Sequence, residues 1–253
     1  MPCLVYYEKL NDCEIMNCWE QSFSLHKTEI YKLWKDRVQQ INVSSILVDI
    51  STISKNAILF LFDTLSKFES LKKIGILEIT EDKLKTTFEG LSKLKQVTEV
   101  DLSNNMLGLK EMDTAFETLT KLECLINLDL SSNNIGYESV KCISKTLKKL
   151  KNLEILNLSS NNIDPAGSVC LALALKKLVN LKNLGLANNN LQSMGAQYIA
   201  LTLENHKNLT RIDLFNNNID LKNEKEVALI LNRIKSLKFL HFSQLKFEAR
   251  DIE

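Results

Sequence analysis

Leu125-Ile-Asn-Leu128-Asp-Leu130-Ser-Ser-Asn133-Asn-Ile135 is repeated 28 residues later as Leu153-Glu-Ile-Leu156-Asn-Leu158-Ser-Ser-Asn161-Asn-Ile163. Leu181-Lys-Asn-Leu184-Gly-Leu186-Ala-Asn-Asn189-Asn-Leu191 and Leu209-Thr-Arg-Ile212-Asp-Leu214-Phe-Asn-Asn217-Asn-Ile219 continue the series. Upstream, Val97, Val100, Leu102, Asn105 and Leu107 hold the same positions, and weaker copies start at Val43, Leu71 and Leu237. Eight units result, spaced by 28 residues except from Leu71 to Val97, where the step is 26. A fixed period of this length marks a chain built by stacking one supersecondary unit, each copy completing the core of its neighbour.

The fourth and sixth positions of the quoted stretch alternate as a short strand with its apolar side chains turned inward. The asparagine follows where the chain turns away. Its amide both donates and accepts, so Asn105, Asn133, Asn161, Asn189 and Asn217 are expected to form a ladder that pairs backbone groups at the turns. Leaving those groups unpaired in the interior would be costly. Ser51, Ile79 and Leu245 stand at this position in the outer units. The second half of each unit carries apolar residues 15, 18, 22 and 25 places after its first residue, a helical spacing. Val140, Ile143, Leu147 and Leu150 are one set, and Ile58, Leu61, Leu65 and Phe68 are another. With the two-residue deletion allowed for, place 22 is leucine in seven units: Leu65, Leu91, Leu119, Leu147, Leu175, Leu203 and Leu231.

These motifs resemble the leucine-rich-repeat family, in its ribonuclease-inhibitor-like class. The resemblance covers about residues 43–247. It implies an α/β solenoid, a horseshoe arc of about eight 28-residue repeats with parallel strands on the concave face and helices on the convex face. Eight strands would make a sheet about 38 Å across. Residues 1–42 lack the repeat. Glu29-Ile30-Tyr-Lys-Leu33-Trp34-Lys-Asp-Arg-Val38-Gln-Gln-Ile41 reads as an amphipathic helix capping the first repeat, with partner binding as its alternative role, and Cys3 to Tyr7 as an edge strand. Residues 248–253 form a short tail. After Leu237–Phe242 too little chain remains for another helix, so an exposed parallel edge is expected there, open to weak end-to-end self-association of an otherwise monomeric chain.

The 253 residues include 32 Lys+Arg and 31 Asp+Glu, so net charge is near zero, without the basic excess of a nucleic-acid binder. No apolar run is long enough for a membrane span. The N-terminus lacks the pattern of a secretory signal, which points to a cytoplasmic protein and makes the sequons at Asn42, Asn157 and Asn208 coincidental. Cys3, Cys13, Cys18, Cys124, Cys142 and Cys170 form no C-x-x-C and read as reduced thiols; no metal or cofactor is expected. Only 7 Gly and 2 Pro serve a chain with many turns, so other residues must make them.

No phosphate-binding loop, zinc-protease motif or nucleophile elbow occurs, and no catalytic residue is assigned. His26, His206 and His241 fall in different parts of the chain; His206 takes a helix-end position that is apolar in other units, and His241 falls on the concave face. Lysines at the helix ends, such as Lys145 to Lys151, read as favourable charge at helix C-termini. Information therefore lies in the concave strand positions. A basic and aromatic group clusters toward the C-terminus: Arg211, Phe215, Phe239 and His241 with Lys182, Lys238 and Asp213. Aromatic residues and arginine are the types that anchor interfaces. The middle is acidic, with Glu99, Asp101, Asp129 and Glu154.

The expected function is a non-enzymatic protein–protein interaction scaffold that presents this rigid concave face to a protein partner, with no nucleic acid involved. The alternative is a regulator of an enzyme, such as a Ran-type GTPase activator or an inhibitor. That family's activators resemble this repeat class, but none of Arg37, Arg211, Arg233 and Arg250 matches their catalytic context, and their acidic tail is missing. In its Lys, Asn, Ile and Leu content the chain also resembles leucine-rich-repeat effectors that Legionella-type bacteria deliver into host cells. That resemblance implies the host cytosol as working compartment and a C-terminal export signal, with which Leu245, Phe247, Glu248, Asp251 and Glu253 are compatible.

Overall fold

A computed structural model describes residues 5–6, 44–108, 112–242 and 246–248. The expected capping helix at Glu29–Ile41 and Leu245 at the last ladder position lie outside these residues. Strands β1 (Val5–Tyr6), β2 (Ser45–Asp49), β3 (Lys73–Leu77), β4 (Glu99–Asp101), β5 (Asn127–Asp129), β6 (Ile155–Asn157), β7 (Asn183–Gly185), β8 (Arg211–Asp213), β9 (Phe239–His241) and β10 (Lys246–Glu248) form one ten-stranded open sheet in sequence order. β2 to β9 are parallel, and each pairs with the next at equivalent repeat positions, such as Leu128 with Leu156. Helices α1 (Lys55–Leu65), α2 (Glu81–Leu91), α3 (Met112–Thr118), α4 (Tyr137–Leu147), α5 (Pro165–Leu175), α6 (Gln192–Leu203) and α7 (Leu221–Leu231) connect successive parallel strands from β2 to β9. This is the α/β leucine-rich-repeat solenoid that the period predicts. The third unit departs from it, because α3 is shorter than its neighbours and ends in a 3-10 turn, Leu119–Lys121.

The C-terminal edge differs from expectation. β10 pairs antiparallel with β9, Phe247 opposite Leu240, so β9 is no bare parallel edge. A short antiparallel strand is a common way to blunt such an edge. β1 closes the other end in the same manner on β2, as the edge strand expected there.

The core lies between strands and helices. All seven place-22 leucines, from Leu65 to Leu231, are buried, as are Leu128, Leu156, Leu184, Ile212 and Leu240 on the inner side of the strands. Three helix starts carry a side-chain cap: Ser54, Asp164 and Asp220 accept from the backbone N–H of Ala57, Gly167 and Asn223.

The ladder forms, and its bonds recur at constant intervals. Asn161 Oδ1 accepts from the N–H groups of Asn133 (2.9 Å) and Ile135 (3.1 Å), and its Nδ2 donates to the carbonyls of Leu130 (2.8 Å), Leu158 (3.1 Å) and Ser159 (3.2 Å). Asn133, Asn189 and Asn105 repeat the arrangement, and Asn105 reaches back to Ile79, whose N–H its Oδ1 holds at 2.8 Å. In the first unit Asp49 holds the N–H of Ser51 instead.

The turns themselves are made by other residues. Among the described residues, ten non-glycine residues have positive φ and no glycine does. Six of the ten directly precede the ladder position: Glu78, Asn104, Ser132, Ser160, Asn188 and Asn216. In four of these the left-handed conformation aims the N–H at the next turn, so that Asn104, Ser132, Ser160 and Asn188 each donate to a carbonyl one repeat on. The scarcity of glycine is thus met by L-residues, half of them asparagine, which tolerates this region best after glycine.

Candidate functional site

The outward positions of the strands form two columns. One reads Ser45, Lys73, Glu99, Asn127, Ile155, Asn183, Arg211 and Phe239; the other reads Leu47, Gly75, Asp101, Asp129, Asn157, Gly185, Asp213 and His241. Parallel pairing without register shift sets each residue beside its equivalent, about 4.8 Å away.

At the C-terminal end the side chains expected to act together do meet. The Arg211 guanidinium lies over the Phe239 ring, 6.0 Å from its centroid. Phe215 stacks on His241 with centroids 4.9 Å apart and planes 10° from parallel. His241 Nδ1 is 3.1 Å from Asp213 Oδ1, which also accepts the N–H of Phe215. Phe215, Asp213 and His241 therefore brace one another, while Phe239 is 54% exposed. Arg211 and Lys238 are exposed and have no acidic partner among the described residues. Gly185 sits beside Asp213, and Asn157 leans over it: a Cβ on Gly185 would lie 2.5 Å from Asn157 Oδ1.

The other expected contact residues are arranged differently. Lys182 Nζ is 2.6 Å from Glu154 Oε2, so this lysine and this acid neutralise each other between β6 and β7. Asp101 and Asp129 each turn Oδ1 onto the N–H two residues on, in Ser103 and Ser131, and Asp129 Oδ2 accepts from Asn157 Nδ2 at 3.0 Å. Their column is thus partly a turn-forming device, which Asp213 and Asn157 share. Glu99 accepts a 3.5 Å contact from Asn127. Glu99 and Asp101 in β4 lie four strands, about 19 Å, from Arg211. The acidic and basic-aromatic groups are therefore two places on one face.

Elsewhere the titratable groups serve structure. His206 is buried with Nε2 3.1 Å from the carbonyl of Leu175, and burial holds its pKa below the ordinary value. Cys142 is pushed up to about 11, first by burial and then by the Asp113 carboxylate to which it donates, so its thiol is unreactive at neutral pH. Cys124, Cys142 and Cys170 are free thiols. Among the described residues no group of His, Cys, Asp and Glu has the makings of a metal site, and no helix is long and apolar enough to cross a membrane. Of the helix-end lysines, Lys145 and Lys149 pair with Asp113 and Glu117. What sequence reading missed at the concave face is the ion pair of Glu154 with Lys182; their opposite charges, at equivalent places of adjacent units, were the available signal.

A leucine-rich-repeat family model matches residues 119–144 and 149–172. No curated protein matches the chain. Among solved structures it is similar to the tropomodulin C-terminal domain of Caenorhabditis elegans, with 15% identity over 55% of this chain and 84% of that one and a TM-score of 0.46. Leiomodin-1 actin-binding site 2 is similar at 18% identity, covering 66% and 82%, with a TM-score of 0.45. Internalin C2 of Listeria monocytogenes strain 4b F2365 is similar at 15% identity, covering 79% and 81%, with a TM-score of 0.45.

Proposed function

We propose that this leucine-rich-repeat protein is a non-enzymatic scaffold that captures a protein partner on the C-terminal part of its concave face. The observation that carries the reading is the exposed Arg211–Phe239 pair beside the braced Phe215–His241 stack. A flat cation lying on an exposed ring offers a partner apolar area and charge together. The rigid sheet beneath means that little conformational freedom is lost on binding. Aromatic and arginine anchors of this kind contribute about 2 kcal/mol or more each when a partner covers them. Arg211→Ala with Phe239→Ala should strip specific partners from affinity capture read by mass spectrometry, with thermal stability unchanged. The same set of captured proteins from both forms would reject the site.

An enzyme as the captured partner is the narrower form of this proposal. Of the two described arginines, Arg233 is paired with Glu204, and Arg211 is the one that stands on the concave face. A Ran-type GTPase activator would show accelerated GTP hydrolysis that Arg211→Ala abolishes; no acceleration by the wild type removes that form. We also propose the cytosol as the working compartment, the host's if the chain is a delivered effector. The compositional resemblance and the acidic, apolar C-terminus support this. A translocation reporter that still exports after removal of residues 240–253 would count against it.

A further inference from the structure

The helical side changes character along the chain. The position 20 places into a unit is Asp63, Glu117 and Lys145 in the first, third and fourth units, and Glu89 at the equivalent of the shortened second. Three of these tie neighbouring helices by ion pairs: Asp63 with Lys93 (2.7 Å), Glu117 with Lys149 (2.8 Å) and Lys145 with Asp113 (3.4 Å). In the last three helices the same position is Leu173, Leu201 and Leu229, exposed by 57%, 53% and 59%. Val169, Met194, Tyr198 and Leu221 are exposed beside them. Neither α5 nor α6 contains a charged residue, in a chain of which 25% is charged. The leucine row crosses three adjacent helices, about 16–20 Å, and the apolar area runs about 12 Å along them from Leu221 to Leu229. Contiguous exposed apolar surface of this kind marks a contact site.

Its border is basic. Lys148, Lys176, Lys177, Lys207, Lys222 and Lys225 are exposed, and none has an acidic partner among the described residues. The nearby acids are engaged: Glu204 with Arg233, and Glu226 with the side-chain amide of Gln197. We propose that the outer face of α5, α6 and α7 docks on an anionic lipid surface. The leucine row enters the boundary between headgroups and acyl chains, and the lysines sit over acidic headgroups. A second copy fits less well, since identical lysine borders would oppose each other. A protein helix needs a groove to lie in, whereas these leucines stand on the outermost crest of each helix.

Flotation with vesicles tests this, using phosphatidylcholine alone or with roughly one-third phosphatidylserine. The full chain should float with the mixed vesicles and not with phosphatidylcholine alone, and should release as salt rises from about 0.15 to about 0.5 M. L173S/L201S/L229S should keep the wild-type melting temperature, since all three side chains point to solvent, and lose at least about tenfold in vesicle partition. K176Q/K177Q should weaken flotation while leaving the row intact. Wild type that stays with the aqueous phase, or a triple variant that floats equally well, overturns the proposal. So does a dimer in sedimentation that the triple variant turns to monomer, or leucine-dependent capture of a protein without vesicle binding. Arg211→Ala with Phe239→Ala should float as wild type, so this surface stands or falls apart from the concave one.

Discussion

Replacing Asn161 by alanine removes one amide from the middle of the ladder and leaves three backbone groups without a partner. The N–H groups of Asn133 and Ile135 and the carbonyl of Leu130 have no other hydrogen-bond partner among the described residues, whereas Leu158 keeps the donor from Asn189 and Ser159 keeps that from Ser132. An unsatisfied buried polar group costs about 1–3 kcal/mol, and three cost about 3–9 kcal/mol. Water entering the vacated amide space takes the low end, about 3–4 kcal/mol. That is a large share of the total of about 5–15 kcal/mol for a domain. Urea unfolding followed by far-ultraviolet circular dichroism should show the lowered midpoint, and heating should lower the melting temperature by about 10 °C. Asn162→Ala is the control, an exposed neighbour in the same turn, expected within about 0.5 kcal/mol of wild type. Asn161→Asp keeps an acceptor but sets an oxygen against the carbonyls its amide now serves, so it should be no milder than alanine at neutral pH. If Asn161→Ala costs less than about 1 kcal/mol, or no more than Asn162→Ala, the ladder does not satisfy the backbone as described.

Met106 is 78% exposed with φ of 53°, at a place where other units have asparagine. Met106→Asn should raise stability by about 0.5–1 kcal/mol by relieving a left-handed methionine, and by extending the outer contacts made from Asn162 to Asn134 and from Asn218 to Asn190; an unchanged melting temperature would contradict this. Burial holds His206 below its ordinary pKa of 6.5, so the unfolded chain takes up a proton there before the folded one does. Stability from this site is complete above 6.5 and declines as pH falls from there toward the depressed folded value. His206→Leu, matching Leu150 and Leu178 in neighbouring units, should flatten the decline in urea midpoints between about pH 7 and 5; equal slopes in the two proteins would refute the assignment.

The repeat, the strand order, the buried leucine column and the asparagine ladder were all legible, because each depends on residues that recur at one interval and do one task. Glu154 and Lys182 show where legibility stopped. Each was read by its own charge, as an acid of the middle and a cation of the basic end, and their salt bridge appears only when adjacent units are laid side by side. Asp101 and Asp129 likewise read as surface charge until their Oδ1 atoms were found on the turn N–H groups. The row Leu173, Leu201 and Leu229 was visible at a single unit position. It escaped because helical spacing directs attention to the buried places 15, 18, 22 and 25, and an apolar residue outside them looks incidental until its column is followed. β10 could not be anticipated from the period, since it has no counterpart in the other units.

The ladder bonds of the regular units have constant separations: Asn133, Asn161 and Asn189 each reach the N–H groups 28 and 26 residues back and the carbonyl 31 residues back. No repeat is singled out by this arithmetic. Excising residues 125–152 as a block would join Cys124 to Leu153 and bring Asn161 to the groups that Asn133 now serves, the N–H of Asn105 and the carbonyl of Leu102. The protein's length is in this sense adjustable in whole steps of one strand and one helix. The C-terminal end differs from such an array in carrying features that exist only once: Arg211, Phe239 and the leucine row all lie in the last four units. An ancestor could have grown or shrunk through its middle while the surfaces at this end stayed intact.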